Sequence, residues 1–270
     1  MITTDGATID VSGFGQDYDE AFFGGDGLQR LSAWVDKNGS SAPRVSNDVR
    51  WGPAACRPSK IVCVGLNYHL HAREQGVDPP KEPVLFLKAT TSYCGPNDDV
   101  LLPRGSKKTD WEVELGVVIG RVARYISKAD ALKHVAGFAL INDYSEREYQ
   151  LERGGQWDKG KGCDTFAPFG PFIATTDSIN SANLKMWLKV NGEQKQDGNT
   201  SDMIFDVPTL VSYISAFMTL LPGDIISTGT PPGVGAFAKP PRFLDAGDVV
   251  ELGIEGLGTS RQRVVAPTER

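Results

Sequence analysis

Along most of this chain the apolar residues fall into short runs of the length that buried strands have. Residues 61–64 (IVCV) are apolar throughout and end at Gly65, and residues 135–141 form a second apolar run. Residues 111–119 alternate between apolar and acidic side chains before they become wholly apolar. Short apolar runs bounded by turn residues predict buried strands, and alternation predicts a strand with two different faces.

Further strands follow the same pattern. They are predicted at residues 83–88, 224–227 and 248–254, and at residues 184–190, where the next two residues, Asn191 and Gly192, predict a hairpin turn. Helices are fewer. Residues 208–220 are amphipathic, and residues 67–74 begin at the capping residue Asn67 and are closed by Gly76.

The order of these elements divides the chain into two predicted domains. Residues 1–55 form a small N-terminal α/β domain with a helix at residues 26–35, and residues 56–270 form the main domain. Because strands dominate the main domain and helices are few, we predict a β-rich α+β fold with a rolled sheet or sandwich.

Composition and charge restrict the possible partners. The chain has 270 residues, 40% of them hydrophobic, and a formal net charge of −6 without a basic tract, which argues against binding to nucleic acid or an anionic membrane. Four cysteines without a CxxC pair and three histidines make no zinc pattern. The first residues, MITTDGATID, lack the features of a signal peptide, and no apolar run approaches a membrane span. We therefore expect a cytoplasmic protein.

Three acidic residues carry the strongest chemical signal. Glu112 and Glu114 lie two positions apart on a predicted strand, so both side chains project from the same face. Asp143 follows the apolar run at residues 135–141, where a buried strand emerges. Carboxylates without nearby histidine or cysteine suit a hard divalent cation, whereas the alternative for the two glutamates alone is a solvated sheet face.

A short helix supplies a candidate general base. Tyr68, His71 and Glu74 follow one another at intervals of three and are predicted to share one helix face. A glutamate one turn from a histidine can orient the imidazole and raise its basicity, as a general base requires. Taken alone, the same pattern also fits an ordinary surface helix with an incidental pair.

Two glycine-rich segments complete the candidate chemistry. Lys161 lies between Gly160 and Gly162, where the backbone could approach a ligand closely. Residues 227–235 (STGTPPGVG) follow an apolar strand, and their small residues and prolines predict a rigid loop at the rim of a site. A plain structural turn is the alternative for each segment.

Together these segments resemble the fumarylacetoacetate hydrolase family, and they occur in family order. The matching stretches are VGLNY at 64–68, DWEVELGVVIG at 110–120, IND at 141–143, GKGCDTF at 160–166 and STGTPPGVG at 227–235. The resemblance implies a mixed β-sandwich roll over residues 56–270 with a central Mg²⁺ or Mn²⁺. It also implies the following roles: metal ligands Glu112, Glu114 and Asp143; water-activating residues His71 and Glu74; the active-site lysine Lys161; and the loop threonine Thr230.

Further stretches are similar to one subgroup of that family, the 2,4-diketo-3-deoxy-L-rhamnonate and L-fuconate hydrolases. This resemblance implies hydrolysis of a 2,4-dioxo acid at its C3–C4 bond to pyruvate and a short acid such as lactate. We further assign binding of the small anionic 2-oxo acid substrate to Tyr68, Lys88, Gln156 and Thr230, and we expect a homodimer.

Several other functions remain open from the sequence. The nearest are other activities of the same family: oxaloacetate decarboxylation, acylpyruvate hydrolysis, isomerisation of a 2-hydroxy-diene-dioate and, less favoured, ureidoglycolate lyase activity. An Fe(II) dioxygenase would need histidines near the metal, and the chain has three in all. A non-catalytic module stabilised by a metal is the third class, and turnover that depends on added Mg²⁺ would exclude it.

Overall fold

The computed structural model describes residues 6–46 and 48–267 and confirms the β-rich α+β class. Residues 1–5, on which the signal-peptide prediction partly depends, lie outside the described residues. The strands are β1 (Ile61–Gly65), β2 (Val84–Lys88), β3 (Tyr93–Cys94), β4 (Val100–Leu101), β5 (Thr109–Asp110), β6 (Val113–Ile119), β7 (Val135–Asn142), β8 (Ser145–Glu146), β9 (Ala167–Pro168), β10 (Ala174–Thr175), β11 (Lys185–Val190), β12 (Glu193–Asn199), β13 (Ile225–Ser227), β14 (Val249–Ile254) and β15 (Gly258–Val265). The α-helices are α1 (Glu20–Gly24), α2 (Gly27–Asn38), α3 (His69–Gln75), α4 (Asp158–Lys161) and α5 (Val207–Ser215).

Two larger sheets form the main domain. One has six strands in the order β10-β7-β6-β13-β1-β2, and the other has five in the order β12-β11-β14-β15-β4. Both are mixed, since β1 pairs with β13 in parallel and β15 pairs with β4 in parallel, while the other neighbours are antiparallel. Apolar side chains of β6 share one core with those of β11 and β14, so the two sheets pack as a sandwich.

Strand β6 is buried along its whole length and lies near the middle of the six-stranded sheet. Val113, Leu115 and Val117 project into the core between the sheets, whereas Val118 projects from the opposite face. Side chains of the N-terminal region, above all Phe22 and Phe23, cover that opposite face. The first 55 residues therefore contribute to the core that supports the site, and the domain boundary at residue 55 stays a prediction.

The predicted elements are found with shifted ends, and two shifts have clear causes. Helix α5 ends at Ser215 and not at Leu220, because Leu220 exchanges backbone hydrogen bonds with Ala123 in an extended conformation. Strand β6 begins at Val113 and not at Trp111, because the amide of Glu112 donates to the side chain of Asn142. Long-range contacts of this kind leave no periodic signal in the local sequence.

The predicted turns agree with the structure. Asn191 and Gly192 have φ angles of 52° and 80°, the left-handed values that a type I′ hairpin turn between β11 and β12 requires. Gly76 closes α3 with a φ of 70°. The four cysteines are free thiols. None of the helices that the structure describes has the length and apolar character to cross a bilayer.

Candidate active site

Strands β6 and β7 bring three carboxylates together. Asp143 follows β7, and its backbone amide donates to the carbonyl oxygen of Glu112 just before β6. Glu114 is the second residue of β6. Each of the three side chains offers an oxygen within 4.8 Å of the others, and their exposed fractions are 6% for Glu112, 2% for Glu114 and 0% for Asp143. Glu112 lies just before β6 and Glu114 lies within it, so the two glutamates meet at the cluster as the sequence predicts, although only Glu114 belongs to the strand.

Three buried cations contact this cluster. The Nζ of Lys161 lies 2.5 Å from Glu112 and 2.8 Å from Asp143. The Nζ of Lys88 donates to the other oxygen of Asp143 at 2.5 Å, and Arg147 donates to Glu112 at 2.7 Å. Buried charges are tolerated in proteins when they are paired and hydrogen-bonded, and Glu112 and Asp143 both meet that condition.

Glu114 has a different environment, because none of the cations in residues 6–46 and 48–267 forms an ion pair with it. Its Oε2 accepts hydrogen bonds from the hydroxyl of Ser227 at 2.6 Å and from the amide of Gly229 at 2.8 Å. Burial and the neighbouring charges of Asp143 and Glu112 raise the pKa of Glu114 well above its usual range. For Glu112, burial alone would raise the pKa, but Lys161 and Arg147 outweigh it and lower the pKa to about 2.

These residues fit a divalent cation. The donor set consists of oxygen atoms only, which Mg²⁺ and Mn²⁺ prefer, and its members lie close enough to share one ion. Like charges at such distances repel, and this repulsion adds to the effect of burial in raising the pKa of Glu114. A positive ion among the three carboxylates would relieve it.

Lys161 reaches the cluster from the end of α4, not from an open loop. Its side chain is buried, and its ammonium lies 4.9 Å from the centre of the Phe86 ring. The neighbouring glycine serves packing, because a Cβ at Gly160 would overlap the carbonyl oxygen of Glu146. The prediction that glycine lets a ligand approach is therefore wrong for Gly160; this residue lets α4 approach the chain around β8.

Helix α3 carries the predicted histidine and glutamate as a contacting pair. The Nδ1 of His71 lies 2.9 Å from the Oε2 of Glu74. A carboxylate accepts, so Nδ1 donates and Nε2 keeps the lone pair that a general base uses. The side-chain amide of Gln75 donates to Nε2 at 2.8 Å, so a water molecule has to replace Gln75 there before Nε2 acts as a base, and the Phe237 ring packs edge-on against the imidazole. His71 is 4% exposed.

The loop of residues 228–237 contacts both the carboxylates and α3. The amide of Gly229 donates to Glu114, and the amide of Gly233 donates to the Oε1 of Glu74 at 2.9 Å. Between them, the hydroxyl of Thr230 donates to the carbonyl of Val113 and accepts from Gln196, so this loop is held rigidly. The sequence predicts a rigid loop at this position, and its close contacts agree.

In the described part of the chain, two predicted substrate-binding residues form no hydrogen bond with the carboxylates. Tyr68 is extended and precedes α3, so it does not share a helical face with His71 as predicted, and its hydroxyl donates to the sulfur of Met186 in the core. Gln156 is exposed on the segment before α4. Lys88 and Thr230 lie beside the cluster, as described above.

Sequence reasoning missed Arg147 and Asp110. Arg147 is buried and donates to both Asp110 and Glu112. The available signal is its position, directly after β8 and four residues beyond Asp143. A charged residue so close to the end of a buried strand pair is a reasonable candidate for a site, although nothing in the local sequence identifies its partners.

Comparison with known proteins gives consistent matches. A family model described as fumarylacetoacetate (FAA) hydrolase, C-terminal, matches residues 60–265. A Burkholderia lata protein, named only by the general class of hydrolase, is 50% identical over 264 residues, which cover 97% of this chain and 93% of the relative.

Two solved structures are similar in fold and sequence. A 2-hydroxyhepta-2,4-diene-1,7-dioate isomerase from Mycobacterium marinum has a TM-score of 0.71 and 42% identity, covering 80% of this chain and 78% of that one. A maleylpyruvate hydrolase from Sphingobium sp. SYK-6, in complex with manganese(II) and pyruvate, has a TM-score of 0.82 and 29% identity, covering 99% and 96%.

Proposed function

The chain belongs to the fumarylacetoacetate hydrolase family, and from that premise we propose that it hydrolyses the C3–C4 bond of a 2,4-dioxo acid. The products are pyruvate and a short carboxylic acid. We propose 2,4-diketo-3-deoxy-L-rhamnonate or L-fuconate as the substrate, for which the short acid is lactate. This activity belongs to non-phosphorylative sugar breakdown.

One observation carries the proposal: a single loop holds a carboxylate of the cluster and the His71–Glu74 pair. Gly229 donates to Glu114, and four residues later Gly233 donates to Glu74. A general base and a site for a Lewis-acidic cation are the two requirements for attack of water on a carbonyl followed by release of a stabilised carbanion. Their connection through one rigid loop supports hydrolysis at this site.

In the proposed reaction His71 takes a proton from water at Nε2, and the resulting hydroxide attacks C4 of the substrate. Glu74 keeps the proton of His71 on Nδ1 and stabilises the imidazolium that forms. The C3–C4 bond then breaks, its electron pair stays on C3 as the enolate of pyruvate, and C4 becomes the carboxyl carbon of the short acid. C3 finally takes up the proton that His71 removed from water, which completes the net addition of one water and restores the neutral imidazole.

Carbon leaves as an anion only if the developing charge is stabilised. Glu112, Glu114 and Asp143 would hold the divalent cation, which would supply Lewis-acid stabilisation of the developing enolate charge. The buried ammonium groups of Lys161 and Lys88 add fixed positive charge in a site from which water is largely excluded.

The charges around the cluster favour an anionic substrate. Glu112, Glu114 and Asp143 with one divalent cation sum to −1, Lys88 and Lys161 bring the sum to +1, and the buried pair of Arg147 and Asp110 leaves it unchanged. A 2-oxo acid carries a carboxylate, so it enters a site of opposite charge although the whole chain has a net charge of −6.

The cation in this proposal is Mg²⁺ or Mn²⁺. Manganese(II) and pyruvate are both present in the complex of the Sphingobium maleylpyruvate hydrolase. That complex supports a divalent cation and pyruvate as a product here, without favouring one of the two metals. We further propose that the protein acts in the cytoplasm as a homodimer, which size-exclusion chromatography with light scattering tests.

Isomerisation of a 2-hydroxy-diene-dioate is the second candidate, since the Mycobacterium marinum structure carries that name. An isomerase needs no activated water, whereas the His71–Glu74 pair has the geometry to activate one. Oxaloacetate decarboxylation and acylpyruvate hydrolysis use the same enolate, and ureidoglycolate lyase activity is less favoured.

The deciding experiment measures pyruvate release by chromatography across a panel of 2,4-dioxo acids, with Mg²⁺, with Mn²⁺ and with excess EDTA. We expect release to depend on the metal and to be fastest with the two deoxy-sugar acids. In H₂¹⁸O the short acid should gain one labelled carboxylate oxygen, which isomerisation does not produce. Isomerisation of a diene-dioate without pyruvate release from any 2,4-dioxo acid would contradict the proposal.

A further inference from the structure

Asp110 is a buried carboxylate that the proposed chemistry does not use. It lies at the end of β5, two residues before Glu112, and no part of it reaches solvent. Its two oxygens accept four hydrogen bonds, from the amides of Trp111, Gly235 and Ala236 and from the guanidinium of Arg147, at 2.7–2.9 Å. A carboxylate so fully bonded fixes the positions of its donors.

Arg147, one of these donors, also contacts the carboxylate cluster. The Nε of Arg147 donates to Asp110 at 2.9 Å, and another nitrogen of the same guanidinium donates to Glu112 at 2.7 Å. The guanidinium is planar and rigid, so Asp110 and Glu112 are held in a constant relation to one another. A change in the position of Glu112 is therefore transmitted to Asp110.

Two other donors connect Asp110 to the His71–Glu74 pair through the 228–237 loop. Gly235 and Ala236 belong to the 228–237 loop, in which the amide of Gly233 donates to Glu74. The residue next to Asp110 holds the same loop, since the indole nitrogen of Trp111 donates to the carbonyl of Gly233 at 3.1 Å.

The loop has little freedom to move away from Asp110. A Cβ at Gly235 would lie 2.7 Å from an oxygen of Asp110 and would overlap the carbonyl oxygen of Arg242. Gly233 has a φ of 103°, and a Cβ there would overlap the carbonyl oxygen of Lys195. Because the atoms are packed this closely, a movement of Asp110 displaces the loop as well.

We propose that Asp110 is a positioning residue that couples cation binding at the carboxylates to the docking of α3. The connection runs from Glu112 through Arg147 and Asp110 to the loop, and from Gly233 to Glu74. A cation that fixed Glu112 would restrain Arg147 and Asp110, and the closely packed loop would pass that restraint to the amide of Gly233 on which Glu74 docks. This inference rests on the proposed function, because it takes His71 as the general base. It adds a reason why His71 is correctly positioned when the cation is bound.

The test uses Mn²⁺ alone, without substrate. Amide hydrogen exchange of residues 69–75 is followed by mass spectrometry in full-length protein, with and without saturating Mn²⁺, and Mn²⁺ affinity is measured by calorimetry. In the wild type we expect Mn²⁺ to slow exchange in α3 by about 5-fold or more. In Asp110→Asn the slowing should fall below about 2-fold, and Mn²⁺ affinity should fall by roughly 10–100-fold, as is usual for residues that orient metal ligands.

Asp224→Asn is the matched control. Asp224 is equally buried and accepts from Ser59, Lys60 and the amide of Leu221, but it lies at the opposite end of β13 from Ser227. This variant also removes a bonded, buried carboxylate, and it should keep both the Mn²⁺ affinity and the slowing of exchange in α3.

A second variant covers the case in which Asp110→Asn does not fold. Glu74 lies at the partly exposed end of the connection, and Glu74→Gln weakens its acceptance from Gly233 without disturbing the core. Coupling is reciprocal, so this variant should bind Mn²⁺ roughly 3–10-fold more weakly. Unchanged Mn²⁺ affinity in Glu74→Gln, or exchange in wild-type α3 that does not respond to Mn²⁺, would overturn the inference. Neither result depends on pyruvate release, so failure of the proposed function is recognised separately.

Discussion

The Nζ of Lys161 lies 2.5 Å from an oxygen of Glu112, and both side chains are buried. Lys161 is therefore more than a cation that attracts substrate, which is the role that the sequence predicts. It also neutralises two members of the carboxylate cluster, because it contacts Asp143 as well. Coulombic attraction from Asp143 and Glu112 outweighs the effect of burial and raises the pKa of Lys161.

This relationship predicts an unusual response to Lys161→Met. Breaking a buried ion pair leaves uncompensated carboxylates, so the metal-free variant should lose about 3–5 kcal/mol of stability. Mn²⁺ should then raise the melting temperature more in the variant than in the wild type, because the ion replaces the lost positive charge. Turnover should nevertheless fall about 10²–10³-fold, since enolate stabilisation is lost. Calorimetry and pyruvate release measure the two effects.

Lys161→Arg is the matched comparison. It should restore stability more than turnover, because a planar fork does not reproduce a point charge. Unchanged kinetics in Lys161→Met would move the anion-binding role to Lys88, which contacts Asp143. Lys159 is a weaker alternative, since its ammonium donates to the carbonyl of Arg153 on the exposed surface.

His71→Ala tests the general base. We expect hydrolysis to fall by about 10²–10⁴-fold while Mn²⁺ still binds, because His71 contacts Glu74, Gln75 and Phe237 and, within the described residues, none of the three carboxylates. His69→Ala is the control: His69 lies on the same helix and is exposed, so its removal should leave turnover near the wild-type value. Near-normal turnover in His71→Ala would show that another group activates water.

The carboxylate cluster is tested by removing one ligand at a time. Glu112→Gln, Glu114→Gln and Asp143→Asn should each weaken Mn²⁺ binding by at least about 100-fold, and EDTA should abolish turnover in the wild type. Asp164→Asn removes an exposed carboxylate near α4 and serves as the control. Wild-type Mn²⁺ affinity in any one of the three variants would remove that residue from the proposed ligand set.

The sequence predicts those parts of the site in which the contacting residues lie close together in the chain. Glu112 and Glu114 are two residues apart at the start of β6 and reach one cluster, and His71 contacts Glu74 because residues three apart on a helix are neighbours. The helical spacing does not apply to Tyr68, because its backbone is extended and it precedes α3. Whether α3 begins at residue 68 or 69 decides whether the side chain of Tyr68 shares a helix face with His71 or contacts Met186.

The parts that escaped prediction depend on distant contacts. Asp110 and Arg147 are 37 residues apart in the chain, and Asp110 contacts Gly235 across 125 residues. Lys88 at the end of β2 meets Asp143 after β7, although three other strands of the sheet lie between β2 and β7. No periodicity encodes such pairs, because they follow from the order of strands in the folded sheet and not from the spacing of residues within one element.

A last relationship concerns stability and pH at Asp206, the N-cap of α5. Its side chain accepts from the amide and hydroxyl of Thr209 and forms an ion pair with Lys128. Partial burial acts to raise the pKa of Asp206, but these hydrogen bonds outweigh it and hold the pKa below its usual value. The folded state therefore binds the proton less tightly than the unfolded state does.

The sign of the pH dependence follows directly. A group whose pKa is lowered by folding stabilises the protein above its unfolded pKa of about 3.9, and that contribution disappears as the pH falls through the folded value. Asp206→Ala should cost about 1 kcal/mol at pH 7, and this cost should shrink below about pH 4. Asp206→Asn keeps a capping oxygen and should cost less. Urea unfolding of both variants between pH 7 and pH 3, with Asp197→Asn on β12 as an exposed control, measures the difference. A cost for Asp206→Ala that stays constant across this range would mean that the charge of Asp206 contributes nothing.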